Sequence, residues 1–349
     1  NSPLYLALSP LSAALAAGNR AMLKMSEHTP RFGALFESLI ARSFSSDEAI
    51  AFNGDVGVAR TFAALPFDHL LFTGSTAVGR DVMKAASANL TPVTLELGGK
   101  SPVIVADGFD LAEAARRIMY GKLMNAGQTC VAPDYALVPT PMIAPFIAAC
   151  RAAATAFYPT LATNPQYTSI INDRQFRRLT ACIEDARAQG ATIQPLHDEP
   201  TEAVRRRLSP VALTEVGEPM RVMQEEIFGP LLPVVGYDSI DEAIAFVNAR
   251  PRPLALYYFG AAGDDLGAVL ARPVSGGVPV NNTALHVAQE DLPFGGVGPS
   301  GMGHYHGEAG FDTFSKLKPV FIDGRFSGSS FLMPPYGRKF RAILKMLYR

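Results

Sequence analysis

The stretch His69-Leu70-Leu71-Phe72-Thr73-Gly74-Ser75-Thr76-Ala77-Val78-Gly79 decides the fold class. An apolar strand runs straight into a glycine turn, and the turn opens a helix expected from about Thr76 to Ala88. The same rhythm extends in both directions. Upstream, Leu11 to Ala17 reads as helix stopped by Gly18-Asn19, and Ala21 to Leu23 as a short strand. Thr29-Pro30 starts a helix whose apolar positions Phe32, Leu35, Phe36, Leu39 and Ile40 share one face; Ala49 to Phe52 is a strand and Val56 to Ala64 a helix. Downstream come the strand Val103 to Val105, a helix from Leu111 to Leu123 capped by Asp110, the strand Tyr135 to Val138 and a helix from Ala144 to Phe157. Strands alternating with helices predict an α/β fold with a parallel, Rossmann-like sheet and crossover helices.

The Gly74 turn places backbone N–H groups and a helix dipole where a phosphate would bind, although it matches neither GxGxxG nor the P-loop. A plain strand-to-helix turn explains the spacing equally well. Lys24 and Glu27, ending a neighbouring strand, read either as a solvated pair or as partners for the hydroxyls of an adenosine ribose, where a carboxylate disfavours a 2′-phosphate.

Two further stretches carry chemistry. In Thr94-Leu95-Glu96-Leu97-Gly98-Gly99-Lys100 an acid stands between leucines, so burial is expected to raise its pKa and suit it to act as a base near neutral pH. A structural carboxylate bonded to backbone amides is the alternative. In Met124-Asn125-Ala126-Gly127-Gln128-Thr129-Cys130-Val131-Ala132-Pro133, glycine and proline punctuate both sides of Cys130, which predicts an irregular turn and a reachable thiol; a small buried hydrophobe is the competing reading. Glu226 and Phe228, in Met223 to Pro230, read as a bare string suggest a helix end, and Leu292 to Gly298 a loop lining a pocket or a subunit contact. Ser169 to Gln189 suggests a helical segment without chemistry.

With 349 residues, 48% hydrophobic and 18% charged, the chain has room for about two domains and extensive burial. A net charge of −1 excludes nucleic acid as a general partner. Three cysteines without CxxC spacing make neither a disulfide framework nor a zinc site, and His304 and His306 lack a third ligand nearby, so no metal is expected. There is no uninterrupted apolar run of about 18 residues, and cysteine usage fits a reducing, cytoplasmic setting. Asn1-Ser2-Pro3-Leu4 enters directly into a hydrophobic pattern without an initiator methionine, from which a missing N-terminal section is expected. The tail from Arg338 to Arg349 is a basic amphipathic helix with Phe340, Ile343, Leu344 and Leu347 on one face; it suits docking on the protein itself or a sister subunit, or, as the lesser reading, a membrane surface.

Taken together, Phe72-Thr73-Gly74-Ser75-Thr76, Leu95 to Lys100, Gly127-Gln128-Thr129-Cys130, Glu226-Ile227-Phe228-Gly229-Pro230 and Pro293-Phe294-Gly295-Gly296 resemble the aldehyde dehydrogenase superfamily over nearly the whole chain. The class 3-like branch, and bacterial coniferyl aldehyde dehydrogenases within it, looks nearest. The resemblance implies a cofactor-binding segment over residues 1–96, a catalytic segment over 97–310 and a bridging C-terminal segment over 311–349. It implies oxidation of an aldehyde, aromatic or phenylpropenyl, to its acid, with NAD as cofactor and NADP second, in a homodimer. Cys130 would be the nucleophile, Asn1 an oxyanion donor and Glu96 the base that activates water. Lys24 and Glu27 would hold the adenosine ribose, Ser75 the pyrophosphate, and Glu226, with Phe228 beside it, the nicotinamide ribose. Gly74 and Gly79 would shape the turn, and Leu97 would line the cofactor site. A medium-chain aliphatic substrate and a catalytically silent binding protein are the alternatives; Glu96 speaks against transfer to coenzyme A, and no histidine supports a cysteine protease.

Overall fold

The computed structural model describes residues 1–325 and 327–348, so Arg349 of the expected tail lies outside the described residues. Contacts divide the chain into a unit from Asn1 to Phe314 and a second from Ser315 to Arg349.

The first unit opens with α1 (Pro3–Ala16), β1 (Ala21–Lys24), α2 (Pro30–Ser43), β2 (Ala49–Phe52) and α3 (Val56–Ala63). The opening helix begins eight residues before the expected Leu11, with proline in its first turn and Pro10 inside it. Burial of Ala7, Pro10 and Leu11 explains why it tolerates the interior proline; Ala7 and Leu11 pack with Phe36, Ile40, Ala49 and Ala51 in one apolar cluster. β1 and β2 run parallel, as the alternating pattern predicts.

Next come β3 (Leu70–Thr73), α4 (Thr76–Ser87), β4 (Val93–Glu96), β5 (Pro102–Val105), α5 (Leu111–Leu123), β6 (Tyr135–Pro139), α6 (Ile143–Phe157) and α7 (Asp173–Ala188). The expected cap forms at α5, where Asp110 accepts from the N–H groups of Ala112 and Glu113. Then follow β7 (Thr192–Pro195), β8 (Val211–Thr214), α8 (Arg221–Gln224), β9 (Leu231–Tyr237), α9 (Ile240–Asn248), β10 (Tyr257–Phe259), α10 (Asp264–Ala271), β11 (Gly301–Met302) and α11 (Gly307–Thr313). Six strands form one sheet in the order β10-β5-β6-β9-β8-β7, parallel except for the β7–β8 pair. The sheet is mixed because β7 follows α7 back along its edge. β3 and β4 run parallel in a separate three-stranded sheet, which β11 completes antiparallel to β4.

The main core lies where β5, β6 and β9 meet α5 and α6, around Val103, Ile118, Met119, Phe146 and Leu232. Among the described residues, Thr140–Phe157 is one stretch long and apolar enough to cross a membrane. Its Phe146, Cys150 and Ala154 belong to this core, and its Arg151 pairs with Asp198.

The second unit contains α12 (Arg338–Leu347). Phe340, Ile343 and Leu344 share a half-buried face, while Arg338, Lys339, Arg341 and Lys345 are exposed; Leu347, expected on the apolar face, is exposed at the end of the helix.

Candidate active site

Cys130 arrives on a backbone that few sequences adopt. Past the end of α5, Asn125, Ala126 and Gly127 follow one another with φ of 53°, 52° and 76°. For a residue with a side chain, this left-handed region costs roughly 1–2 kcal/mol, so something must hold it. Gln128 does. Only 4% exposed, its Nε2 donates to the carbonyls of Asn125 at 3.0 Å and Ser169 at 3.1 Å, and its Oε1 accepts from the Ile171 N–H at 2.9 Å. Position 127 needs glycine for a second reason: a Cβ there would stand 2.3 Å from the Gly229 carbonyl oxygen. The outcome is a Cys130 that keeps part of its residue surface exposed, whereas Cys150 and Cys182 are buried. Cys130 also packs against the main apolar core.

Glu96 is the last residue of β4 and occupies the middle strand of its sheet, opposite Thr73 of β3 and Gly301 of β11. It is 1% exposed, and neither carboxyl oxygen has a hydrogen-bond partner among the described residues. That disposes of a structural carboxylate tied to amides. Burial pushes Glu96 up to about 7, opposed by the Cys130 thiol and the Thr73 hydroxyl. Thr73 Oγ1 is itself unpaired, so it stands beside the carboxyl without a formed hydrogen bond. Cys130 is driven well above the ordinary thiol value by burial and then by Glu96 and Glu226. The resting thiol is thus held neutral beside a carboxyl that changes protonation near neutral pH.

Asn1 lies just before α1, and its Oδ1 accepts from the Ser2 N–H at 3.0 Å, which leaves Nδ2 as the donor side of the amide. Asn1 lies within electrostatic reach of both Cys130 and Glu96.

Glu226 completes the group. Burial, with Asp134 nearby, pushes it up to about 8 while the Gly99 amide opposes. The carboxylate lies flat against Gly98, where a Cβ would come within 2.2 Å of both oxygens. The segment carrying it is bolted down by Lys100, which pairs with Asp134 and donates to the carbonyls of Val222 at 2.6 Å and Glu225 at 3.0 Å. Asp134 accepts in turn from the Ile227 N–H at 2.8 Å. Phe228 then turns the chain with φ 48°. The expected helix end is thus a strained corner following α8. Lys122 is a second buried cation here, pushed down to about 8 by burial, with Asp134 and Glu226 opposing.

The other expected residues sit at the carboxyl ends of β1 and β3, where open α/β sheets bind ligands. Gly74 donates its N–H to the Glu96 carbonyl at 3.0 Å. Ser75 caps α4, its Oγ accepting from the Val78 N–H at 3.4 Å. Gly79 allows close approach of helix to strand, since a Cβ there would come 2.6 Å from a Leu97 methyl. Lys24 and Glu27 form an ion pair of 3.5 Å on the separate β1–β2 sheet, and among the described residues neither hydrogen-bonds to the Cys130 cluster. A capped helix N-terminus, a glycine turn and a carboxylate beside a lysine fit the phosphates and ribose of a dinucleotide.

Sequence reasoning missed Lys100, Asp134, Lys122 and Gln128 as structural members of the site, together with a wall of rings. Tyr257, His286, Phe294, Tyr305 and His306 form a chain of ring contacts at 4.7–6.0 Å. Tyr257, Phe294 and Tyr305 belong to the same packed cluster against which Cys130 lies. His306, expected to bind no metal, stacks on Phe294 and meets the Tyr5 hydroxyl at 3.2 Å. No group of three metal-ligating side chains occurs among the described residues.

Comparison with known proteins agrees with this geometry. Residues 1–320 match the aldehyde dehydrogenase family. A protein of Pseudomonas aeruginosa described as a probable coniferyl aldehyde dehydrogenase is 55% identical over 349 residues, which is all of this chain and 72% of that protein. The substrate-bound structure of Staphylococcus aureus AldH superposes with a TM-score of 0.90 at 41% identity, covering 99% of this chain and 75% of the other. A Mycobacterium tuberculosis aldehyde dehydrogenase complexed with NAD+ gives 0.82 at 29% identity, covering 93% and 68%. With that likeness along its whole length, the chain belongs to the aldehyde dehydrogenase family, an oxidoreductase that converts an aldehyde to its carboxylic acid with NAD as the hydride acceptor.

Proposed function

We propose that the chain oxidises aromatic, phenylpropenyl-type aldehydes through a thioester on Cys130. The observation that carries the roles is the pairing of the partly exposed Cys130 with Glu96, whose two oxygens are buried and unpaired. Glu96 takes the thiol proton as sulfur attacks the aldehyde carbon. The developing oxyanion meets Nδ2 of Asn1 and the backbone N–H of Cys130, donors of the kind whose loss typically costs on the order of 100-fold in rate. Bound NAD supplies the hydride acceptor. Glu96, which titrates at about 7, gives that first proton up to bulk water and, again a carboxylate, takes a proton from the water that attacks the thioester, freeing the acid and the Cys130 sulfur.

For the cofactor, Lys24 and Glu27 take the adenosine ribose, Ser75 with Gly74 and Gly79 the pyrophosphate turn, Leu97 the adjoining wall, and Glu226 with Phe228 the nicotinamide ribose. The paired carboxylate of Glu27 favours NAD over NADP. Support for an aromatic substrate comes from the ring wall against Cys130, since aromatic faces pack best against aromatic faces, and from the coniferyl name of the Pseudomonas relative. The division at residues 96 and 310, a cytoplasmic homodimer, and docking of residues 338–349 on protein in preference to membrane belong to the same reading.

The decisive assay follows NADH absorbance with a phenylpropenyl aldehyde and with hexanal. Wild type should prefer the aromatic substrate, and Cys130→Ala should lose turnover by about 10⁴-fold or more while still binding NAD. Turnover retained in Cys130→Ala would sink the nucleophile, and a preference for hexanal would sink the aromatic substrate alone.

A further inference from the structure

Tyr305 is 1% exposed and its hydroxyl has no hydrogen-bond partner among the described residues. A buried phenol left unpaired is destabilising relative to one that is satisfied, so a chain that keeps it without a use would be better off with phenylalanine. The position is not arbitrary. β11 pairs Gly301 with Glu96 and Met302 with Leu95, and three residues later the chain bridges Tyr305 to Phe294. Tyr305 thereby joins the cluster against which Cys130 packs, with Glu96 and Cys130 within electrostatic reach of its hydroxyl. Tyr5 and Glu290 reach it as well, but the Tyr5 hydroxyl is already engaged, with the Val287 carbonyl at 2.6 Å and Glu290 at 2.9 Å.

Two orphaned polar groups therefore face the reacting sulfur from one buried region: the Glu96 carboxyl and the Tyr305 hydroxyl. They are not bonded to each other. A carboxyl and a phenol that share a neighbourhood but do not touch are the two partners a single water molecule needs to be held in one orientation.

We infer that Tyr305 is a positioning residue for hydrolysis, its hydroxyl holding jointly with Glu96 the water that releases the acyl group from Cys130. This rests on the roles proposed above for Cys130 and Glu96. In the step, the water oxygen bonds to the thioester carbon, its proton passes to the Glu96 carboxylate, the carbon–sulfur bond breaks and the electron pair leaves with Cys130. Tyr305 exchanges no proton in net terms. Its hydroxyl fixes the direction of a lone pair and returns to its starting state.

The test is Tyr305→Phe, studied by stopped-flow NADH formation, by hydrolysis of p-nitrophenyl acetate and by thermal unfolding. The expected result is an unchanged or raised melting temperature, a retained NADH burst near one per site, and a steady-state rate 10- to 100-fold lower. The slow phase should show a larger solvent deuterium isotope effect, and the ester should likewise give a burst followed by slow turnover. An unchanged steady-state rate, or a burst slowed as much as the steady state, would overturn the inference. A lowered melting temperature with normal turnover would show a purely structural side chain and overturn it too. Glu96→Gln run in parallel separates the layers: if it hydrolyses normally the underlying reading falls, and if only Tyr305→Phe does, this inference alone falls. Should Tyr305→Phe fold poorly, Tyr305→His, which keeps a ring and a polar atom, must recover part of the steady-state rate, and failure to do so counts against the proposal.

Discussion

The reacting end of the site and the β1 edge treat charge in opposite ways. Around Cys130, Glu96 and Glu226 are withdrawn from water and sit at about 7 and about 8. At the end of β1, Glu27 remains 35% exposed; burial opposes its charge, but its own backbone amide, Lys24 and His28 hold the carboxyl below its usual range. An acid without partners changes protonation near neutral pH and can move protons. An acid already paired stays charged, and recognition of hydroxyls is the work left to it.

The largest test of this contrast is Glu96→Gln, which should lower kcat by about 10²- to 10⁴-fold, measured as acid formation at saturating substrate. Wild-type turnover should rise with pH through about 7 as Glu96 ionises. Stability should move the other way. Between the ordinary 4.5 and about 7 the folded chain keeps a proton that the unfolded chain has released, so stability falls as pH rises across that window. Glu96→Gln should flatten this slope in melts from pH 4 to 8, by up to about 3 kcal/mol. An unchanged slope would mean that burial does not govern this carboxyl.

Next in size is Lys100→Met. The Lys100–Asp134 pair has side chains 9% and 3% exposed, and removing one partner of a buried pair costs about 3–5 kcal/mol. Because Asp134 and Lys100 anchor residues 222–227, KM for NAD should rise with the loss of stability, read by denaturant unfolding and initial rates. A stability loss with KM unchanged would separate the bolt from the site. The smallest effect belongs to Glu27→Gln. Exposed pairs contribute about 0–1 kcal/mol, so NAD affinity should weaken by only about 2- to 5-fold, with NADP gaining relative to NAD in calorimetric titration. A loss on the scale of Glu96→Gln would erase the distinction between the two ends.

The same contrast governs what the sequence reveals. The irregular turn at Cys130 and the burial of Glu96 were legible because glycine and proline flank the one and leucines the other, signals contained within ten residues. Lys100 and Asp134 lie 34 positions apart, and nothing local in either stretch names the partner. β9 was hidden by Pro233 inside its run, and β10 is only three residues long, too short for periodicity to register. The ring wall was equally silent, since Tyr257 and Tyr305 meet near Cys130 only through tertiary packing.

Glu96 stands in a middle strand, held on one flank by β3 and on the other by β11. In the reaction proposed above, a base gripped from both sides would not swing on its backbone between its two proton transfers. Any change of aim would come from torsion of its own three-bond side chain, so the two duties proposed for it would be timed by rotamer hopping rather than by loop motion. Substitutions that loosen distant surface loops should accordingly leave the ratio of acylation to hydrolysis untouched, while trimming this acid by one methylene, as in Glu96→Asp, should shift it at once.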